Sequence, residues 1–492
     1  MTAAAEFNHP ASLTGRGLRV AAGLVFTGLL VFAPLNFGST RAGGAEVITV
    51  ACAGASLLWL VALLCGGPTA AMPALPVGCL ALLGLAALPW ITGLASPTPV
   101  APFTQTHFAR VAARWPFSIV GSTPAGSLAF TLALAVAALP LLDLARSPRW
   151  LLTFCLALTG TAVLVALLAL LQNYSHATGI YWRQEGRLPG NFSGTFYHHT
   201  AAGAYFNTAW PLAVALTWLA WDRPAPARAR RTLIGAGLLA TIILLAAHGS
   251  HVSRLPQLLA LVVSPFLLWG RPAGGPRRWL VLAGLLAAVA VLIALTGRTA
   301  EIGARWQLMF AAAPAAPVGV PPPESAWPAL IRDDLFIPHT SRPGWLGDRA
   351  EGWRTALRSI ARRPLTGHGP GNWIGAASQN TTDPFVRTFF QFLQFAHQDL
   401  LQFAVEWGLP ATLGWWGFLT GAILVVLHSC RWPDPPQRGL VLAAACALGA
   451  VLLQAQVDFP LHMPAIALNV LVLVALCWAG ATALPAPLPV PA

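Results

Sequence analysis

Long apolar stretches recur along the whole chain, separated by short loops rich in arginine, proline and glycine. A helix needs roughly 20 apolar residues to cross a hydrocarbon core of about 30 Å. By that measure the pattern predicts about twelve spans, near 18–37, 45–65, 74–94, 125–145, 150–172, 201–221, 232–248, 252–270, 278–297, 407–429, 438–457 and 463–482. The expected fold is an all-α polytopic membrane protein. Residues 1–297 hold spans one to nine, with loops at 95–124 and 173–200. Residues 298–406 form a large helical loop domain, 407–482 the last three spans, and 483–492 a Pro-rich disordered tail.

Composition agrees with this pattern. Of 492 residues, 56% are hydrophobic and 9% charged, far below the charge of a soluble chain. The net charge of +13 comes from arginine alone, without lysine. Most of these arginines fall in short loops or in one long loop at 298–397, which escapes the charge rule by its length; the short-loop ones are Arg16 and Arg19 before the first span, then "RSPRW" (146–150), "DRPAPARARR" (222–231), "GRPAGGPRR" (270–278) and "RWPDPPQR" (431–438). Twelve spans place all of these short loops and both termini on one side, which the positive-inside rule makes the cytoplasm. Topology and anionic headgroups therefore account for the charge, and no basic patch interleaved with aromatics points to nucleic acid. The first apolar run is long enough to span and lacks a small-x-small cleavage site, so it is expected to be a span and not a cleaved leader. The seven cysteines lie in or beside apolar segments without metal spacing and are expected to be packing residues.

Against this background the polar residues of the opposite face stand out. In "DRAEGWRTALRSIARRP" (348–364), Arg349, Trp353, Ala356 and Ile360 share one helical face. Arg354, Arg358 and Arg362 share the other and read as a solvated stripe. Arg349 is either half of a structural salt bridge or a binding residue. "GHGPG" (367–371) resembles a phosphate loop but lacks a following Lys-Ser/Thr and a preceding strand, so a turn explains it. In "AHQDLLQFAVEWGLP" (396–410), His397 is expected on a helical face with Leu401, Ala404 and Gly408. Asp399, Gln402 and Glu406 are expected on the opposite face. Asp458 and His462 flank Pro460 and either close a helix end or take part in chemistry. Arg183, Arg187, His199 and Arg254 lie at the same boundary. Nothing comparable lines the bilayer midplane. The one-sided pattern favours chemistry on an amphiphile whose polar head projects outward, over a solute path through the middle.

Six stretches together resemble the O-antigen ligase and polymerase superfamily, which includes bacterial O-linking oligosaccharyltransferases. They are "VFAPLNFGSTR" (31–41), "GTFYHHTAAGAY" (194–205), "SHVSRLPQLLAL" (250–261), "DRAEGWRTALRSIARRPLTGHGPGNW" (348–373), "AHQDLLQFAVEWGLPA" (396–411) and "VDFPLHMPA" (457–465). Two departures are visible: His198 and Thr200 stand where the family pattern G-T-F-x-N-x-N has asparagines, with His199 between them, and Ala411 replaces a Gly, Thr or Tyr. The resemblance implies a GT-C-like fold and a glycan donor on undecaprenyl diphosphate. It implies transfer at the periplasmic face of the bacterial inner membrane, without metal or other cofactor. It also implies that Arg254 and Arg349 bind the diphosphate and that His397 is catalytic. Arg183, Arg187 and His199 would contact substrate, with Asp458, His462 and Asp399 around them. The acceptor would be lipid A core in a ligase, growing polymer in a polymerase, or protein in an oligosaccharyltransferase. A transporter or lipid-linked glycan flippase is the alternative of another class.

Overall fold

The structure, a computed structural model, describes residues 12–41, 43–66, 72–100, 123–183, 192–222, 226–251, 349–381, 395–429 and 438–482, with residue 300. The described helices are α1 Leu13–Leu35, α2 Gly44–Leu64, α3 Ala74–Ile91, α4 Pro124–Ala145, α5 Pro148–Tyr174, α6 His199–Asn207, α7 Trp210–Asp222 and α8 Ala227–His251. After these come α9 Arg349–Arg362, α10 Trp373–Asn380, α11 Asp399–Trp407, α12 Leu409–Ser429, α13 Arg438–Gln454 and α14 Pro464–Thr482. Seven of them are long and apolar enough to cross a membrane: α1 to α5, α8 and α12. Helix α13 and the Pro464–Gly480 part of α14 are shorter apolar helices. The expected spans at 252–270 and 278–297 lie outside the described residues.

Local chemistry sets where the helices begin. The Ser12 hydroxyl accepts from Gly15 N–H at 3.0 Å to open α1, and the Thr123 hydroxyl accepts from Gly126 N–H at 3.1 Å to open α4. Proline stands first in both α4 and α5, where no N–H is needed. The expected span at 201–221 is instead two helices, broken at Thr208–Ala209. A continuous helix would push the Pro211 ring against the carbonyl of Asn207 and waste one hydrogen bond. Side chains satisfy the break. Trp210 Nε1 donates to Asn207 Oδ1 at 3.1 Å, His248 Nε2 meets the same oxygen at 3.0 Å, and Asn469 Nδ2 donates to the Thr208 hydroxyl at 3.0 Å.

Helix α14 is buried on nearly every side, packed by α4, α12, α13 and α1. An all-apolar helix belongs in such a place. The outward faces are apolar too, with Val50, Leu57, Leu64, Leu85 and Leu424 exposed. Such a surface is stable against lipid and not against water. The chain is a multi-pass membrane protein. At one end of the bundle, Arg19 Nη2 lies 2.6 Å from Asp143 Oδ2, and Trp59 Nε1 donates to that oxygen at 2.8 Å, tying α1, α2 and α4 together.

The opposite end is capped by α9, α10 and α11 around a small core of Ala356, Trp373, Ala376, Ala377, Ala396 and Val405. On α9, Ala356 is buried and Arg354 and Arg362 are exposed as expected, but Arg358, expected on the solvated stripe, is half-buried and donates from Nη1 to Asn380 O at 3.4 Å. The cap is stitched to the chain after α3. Thr98 N–H donates to His368 O at 2.9 Å, Trp90 Nε1 donates to Thr366 O at 3.1 Å, and Asn372 Nδ2 donates to Thr98 O at 2.8 Å. Of the expected loop domain at 298–406, these described parts are helical and fold over the bundle end.

Candidate functional site

The end cap carries the polar stretch 396–410, and the structure departs there from the expected helical face. Helix α11 begins only at Asp399. Its cap is Gln398, whose side chain accepts from Leu401 N–H. His397 therefore lies before the helix, with φ +52°. A non-glycine residue in that region carries strain of order 1–3 kcal/mol and persists only where its neighbours hold it. They do so on both sides. Ala396 N–H donates to Gln402 Oε1 at 2.9 Å, Trp353 Nε1 donates to His397 O at 3.3 Å, and Asp399 N–H donates to Ala455 O at 2.8 Å. The polar groups at the mouth of this apolar segment thus fix the His397 turn.

The turn they fix it against is 455–462. There the buried Asp458 places Oδ1 3.5 Å from His397 Nδ1. Both atoms are buried, and neither makes a hydrogen bond of ordinary geometry. The pair is set for charge contact and free to tighten when a substrate compresses the site. Phe459 completes the packing. It meets the His397 ring edge-on at 4.8 Å, stacks on Phe395 at 4.1 Å and touches His198 at 5.6 Å.

Charge gathers around Asp458. Burial alone would raise its pKa, but the close approach and charge of His397, with the charges of Arg349 and His198, outweigh it and hold the carboxyl well below the usual range. His198 goes the other way. Burial lowers it to about 4, with Asp458 opposing and His397 and Arg349 assisting. It is therefore neutral near pH 7, and its Nδ1 lies 2.5 Å from the Thr200 hydroxyl. Arg349 opens α9 and reaches the cluster through its field on both groups. Residues distant in the sequence thus converge as two imidazoles, a carboxylate and a guanidinium.

Behind this cluster lies a second carboxylate–imidazole pair. Asp399 Oδ1 lies 2.5 Å from His462 Nδ1, and its Oδ2 accepts from Leu461 N–H at 2.9 Å. Burial would lower His462, but Asp399 and Glu406 raise it. The pair ties α11 to the turn holding Asp458, so Asp399 and His462 position the site from one step away. Glu406 is buried, accepting from Gln402 Nε2 at 2.9 Å and from Gly371 N–H at 3.0 Å.

Those bonds explain the glycine-rich segment. His368 N–H donates to Val405 O at 2.8 Å and Gly369 N–H to Glu406 O at 3.0 Å. The donors that a phosphate nest would use are already taken by this chain's own carbonyls and carboxylate. Gly367 has φ +71°, and a Cβ there would lie 2.4 Å from Glu406 O. Only glycine fits. The segment is a structural interlock.

Of the residues singled out in the sequence, His397, Arg349 and Asp458 come together, with Asp399 and His462 adjoining. His199 stacks on His198 at 4.9 Å. Arg183 follows the turn Ile180–Trp182 and acts on Tyr181. Arg187 and Arg254 lie outside the described residues. His198, Gln454 and Phe459 were not among the sequence candidates for the site. Adjacent histidines at 198 and 199 give no signal for choosing between them, and Gln454 joins the site only through space, donating from Nε2 to Thr200 O at 3.0 Å. Among the described residues no group of three or more His, Cys, Asp or Glu could hold a metal ion.

The arrangement can take a proton at His397, orient that imidazole through Asp458, and offer positive charge to an anion at Arg349. Residues 192–416 match a family model described as O-antigen ligase. The matched range includes His198, Arg254, Arg349 and His397 and stops before Asp458. No curated protein matches the chain.

Proposed function

We propose, from the match of residues 192–416 to the O-antigen ligase family, that the chain transfers a glycan from undecaprenyl diphosphate to an acceptor hydroxyl at the periplasmic face of the inner membrane, in the manner of a lipopolysaccharide ligase. The observation that carries this reading is the 3.5 Å approach of His397 and Asp458 at one end of a membrane bundle, with the charge of Arg349 acting on the same carboxylate.

The acceptor oxygen attacks the anomeric carbon, and its proton passes to His397. Asp458, facing Nδ1, steadies the positive charge that the imidazole gains. The bond from the anomeric carbon to the phosphate oxygen breaks, and the lipid diphosphate leaves with the electron pair. Arg349 stabilises that growing negative charge, with Arg254 as its expected partner on the second phosphate. His198, held neutral, contributes hydrogen bonding without competing for the diphosphate. One direct displacement inverts the anomeric configuration, which anomer-resolved NMR of the product tests.

Reconstitution in proteoliposomes with undecaprenyl-diphosphate-linked glycan separates the acceptors. Covalent product with lipid A core supports the ligase reading, whereas product only with glycan polymer or protein assigns the chain to the polymerase or oligosaccharyltransferase branch. Donor movement across the bilayer with no covalent product would overturn the enzyme reading in favour of a flippase. The helix break at Thr208–Ala209 is a feature a transporter would share, but its polar groups are tied to His248, Trp210 and Asn469.

A further inference from the structure

Six non-glycine residues among those described have left-handed backbone. One is His397; the others are Phe37, Ser39, His176, Tyr181 and Trp182. These five gather in one patch beside the site. Phe37 meets Tyr181 edge-on at 5.3 Å and stacks on Tyr197 at 5.6 Å. The Tyr181 hydroxyl donates to Leu35 O at 2.6 Å. Arg41 lies 3.6 Å over the Phe37 ring and donates from Nε to the Tyr197 hydroxyl at 2.9 Å. Strained positions cluster at active sites and ligand clamps, where the surrounding structure holds them.

Beside these rings are buried polar atoms with no partner: both amide atoms of Gln172, Ser193 Oγ and Thr195 Oγ1. Their residues are 3%, 2% and 0% exposed. Gly194 brings them together. Its φ is +59°, and a Cβ there would lie 2.8 Å from Val165 Cγ1 and 3.5 Å from Ala169 Cβ. Val165, Ala169 and Gln172 follow one face of α5, so the Gln172 amide lies along the strip on which residues 193–195 rest. Leaving buried polar groups unpaired is costly, and natural chains rarely do so without purpose.

We propose that this patch is a saccharide subsite, an inference that rests on the glycosyl-transfer reading above. One amide and two hydroxyls form an uncharged set of donors and acceptors, matched to sugar hydroxyls and not to phosphate. Trp182, 49% exposed and fixed by Nε1 donating to the Ser175 hydroxyl at 2.8 Å, supplies an open aromatic face for the sugar ring. Tyr181 and Ile180 pack with Phe192 and Tyr197, and the strained turn Ile180–Trp182 lies against α5, the helix that carries Gln172, so it is the element to shift when a sugar is seated. The subsite leads to the chemistry: Tyr197 adjoins His198, which touches Phe459, which touches His397. The saccharide belongs either to the lipid-linked donor or to the acceptor.

The test uses the full chain in proteoliposomes with undecaprenyl-diphosphate-linked glycan and a glycan acceptor, varying each in turn. Thr195→Val and Gln172→Leu replace orphaned polar groups by apolar ones of similar shape, so thermal stability without substrate is expected to stay equal or rise. KM is expected to rise about tenfold for the substrate whose sugar the subsite holds, with kcat changed by less than about twofold. The substrate affected identifies the source. Trp182→Ala, at an exposed position, is expected to raise the same KM. Unchanged KM values for both substrates in all three variants overturn the subsite while wild-type transfer leaves the enzyme reading intact. Lower stability of Thr195→Val with no KM effect also overturns it, because the groups then serve only buried water. A wild-type chain that transfers no glycan from any donor overturns the enzyme reading and the subsite together.

Discussion

Asp458→Asn removes one negative charge and leaves the side-chain volume nearly unchanged. The lost carboxylate oxygen lies 3.5 Å from His397 Nδ1. At an effective dielectric near 20, two unit charges at that separation attract by roughly 5 kcal/mol. Only part of a unit charge has developed on His397 at the transition state, and the imidazole is partly open to solvent, so about 2 kcal/mol is the expected loss. That corresponds to a kcat lower by roughly thirtyfold. The assay is the initial rate of glycan transfer in proteoliposomes at saturating donor and acceptor, with thermal unfolding to verify the fold. A variant within about threefold of wild-type kcat would refute the proposed role of Asp458.

Three further expectations follow from the packing and charge. Asp143→Ala leaves Arg19 without the carboxylate that it meets at 2.6 Å; it should cost about 3 kcal/mol of stability, seen as a lower unfolding temperature with normal specific activity in the folded fraction. Gly367→Ala forces a Cβ to 2.4 Å from Glu406 O at positive φ; it should loosen the cap, lower the unfolding temperature and reduce transfer together. The third concerns pH. Burial holds His198 near 4 in the folded chain against an ordinary value of about 6.5. Between those values the unfolded chain binds a proton that the folded chain refuses, so this residue makes stability fall as pH falls from about 6.5 toward 4. His198→Gln should therefore lose less unfolding temperature than wild type between pH 7 and pH 5 (roughly the span of that window), and an equal loss in both would remove the assignment.

Much of the bundle could be read from hydropathy because each span is set by its own composition. The helices α1 to α5, α8, α12 and α14 begin and end close to the expected boundaries, and α9 buries Ala356 and exposes Arg354 and Arg362 as its 3.6-residue period predicts, Arg358 being the exception. What escaped that reading depends on tertiary contacts. The break at Thr208–Ala209 lies in a run apolar enough to span, where Asn207, Thr208 and Pro211 are its only local signs, and side chains from α8 and α14 make it tolerable. His397 was expected on a helical face, but Gln398 takes the cap and leaves the histidine in a strained turn that only its neighbours sustain. The Asp399–His462 bond joins residues far apart in the sequence, so no local spacing could reveal it. The glycine-rich stretch at 367–371 was expected to be a turn and is one, but its bonds to Val405 O, Glu406 O and the Glu406 side chain join segments far apart in the sequence and left no local signal. His198 could not be told from His199 until the fold turned it toward Asp458.

The most direct test is single-turnover glycan transfer by His397→Gln and by Arg349→Ala, each reconstituted with undecaprenyl-diphosphate-linked glycan and measured beside its unfolding temperature. Both variants should insert and unfold like wild type while transferring at least about a hundredfold more slowly. Transfer at the wild-type rate by either folded variant would contradict a site built on that imidazole and that guanidinium.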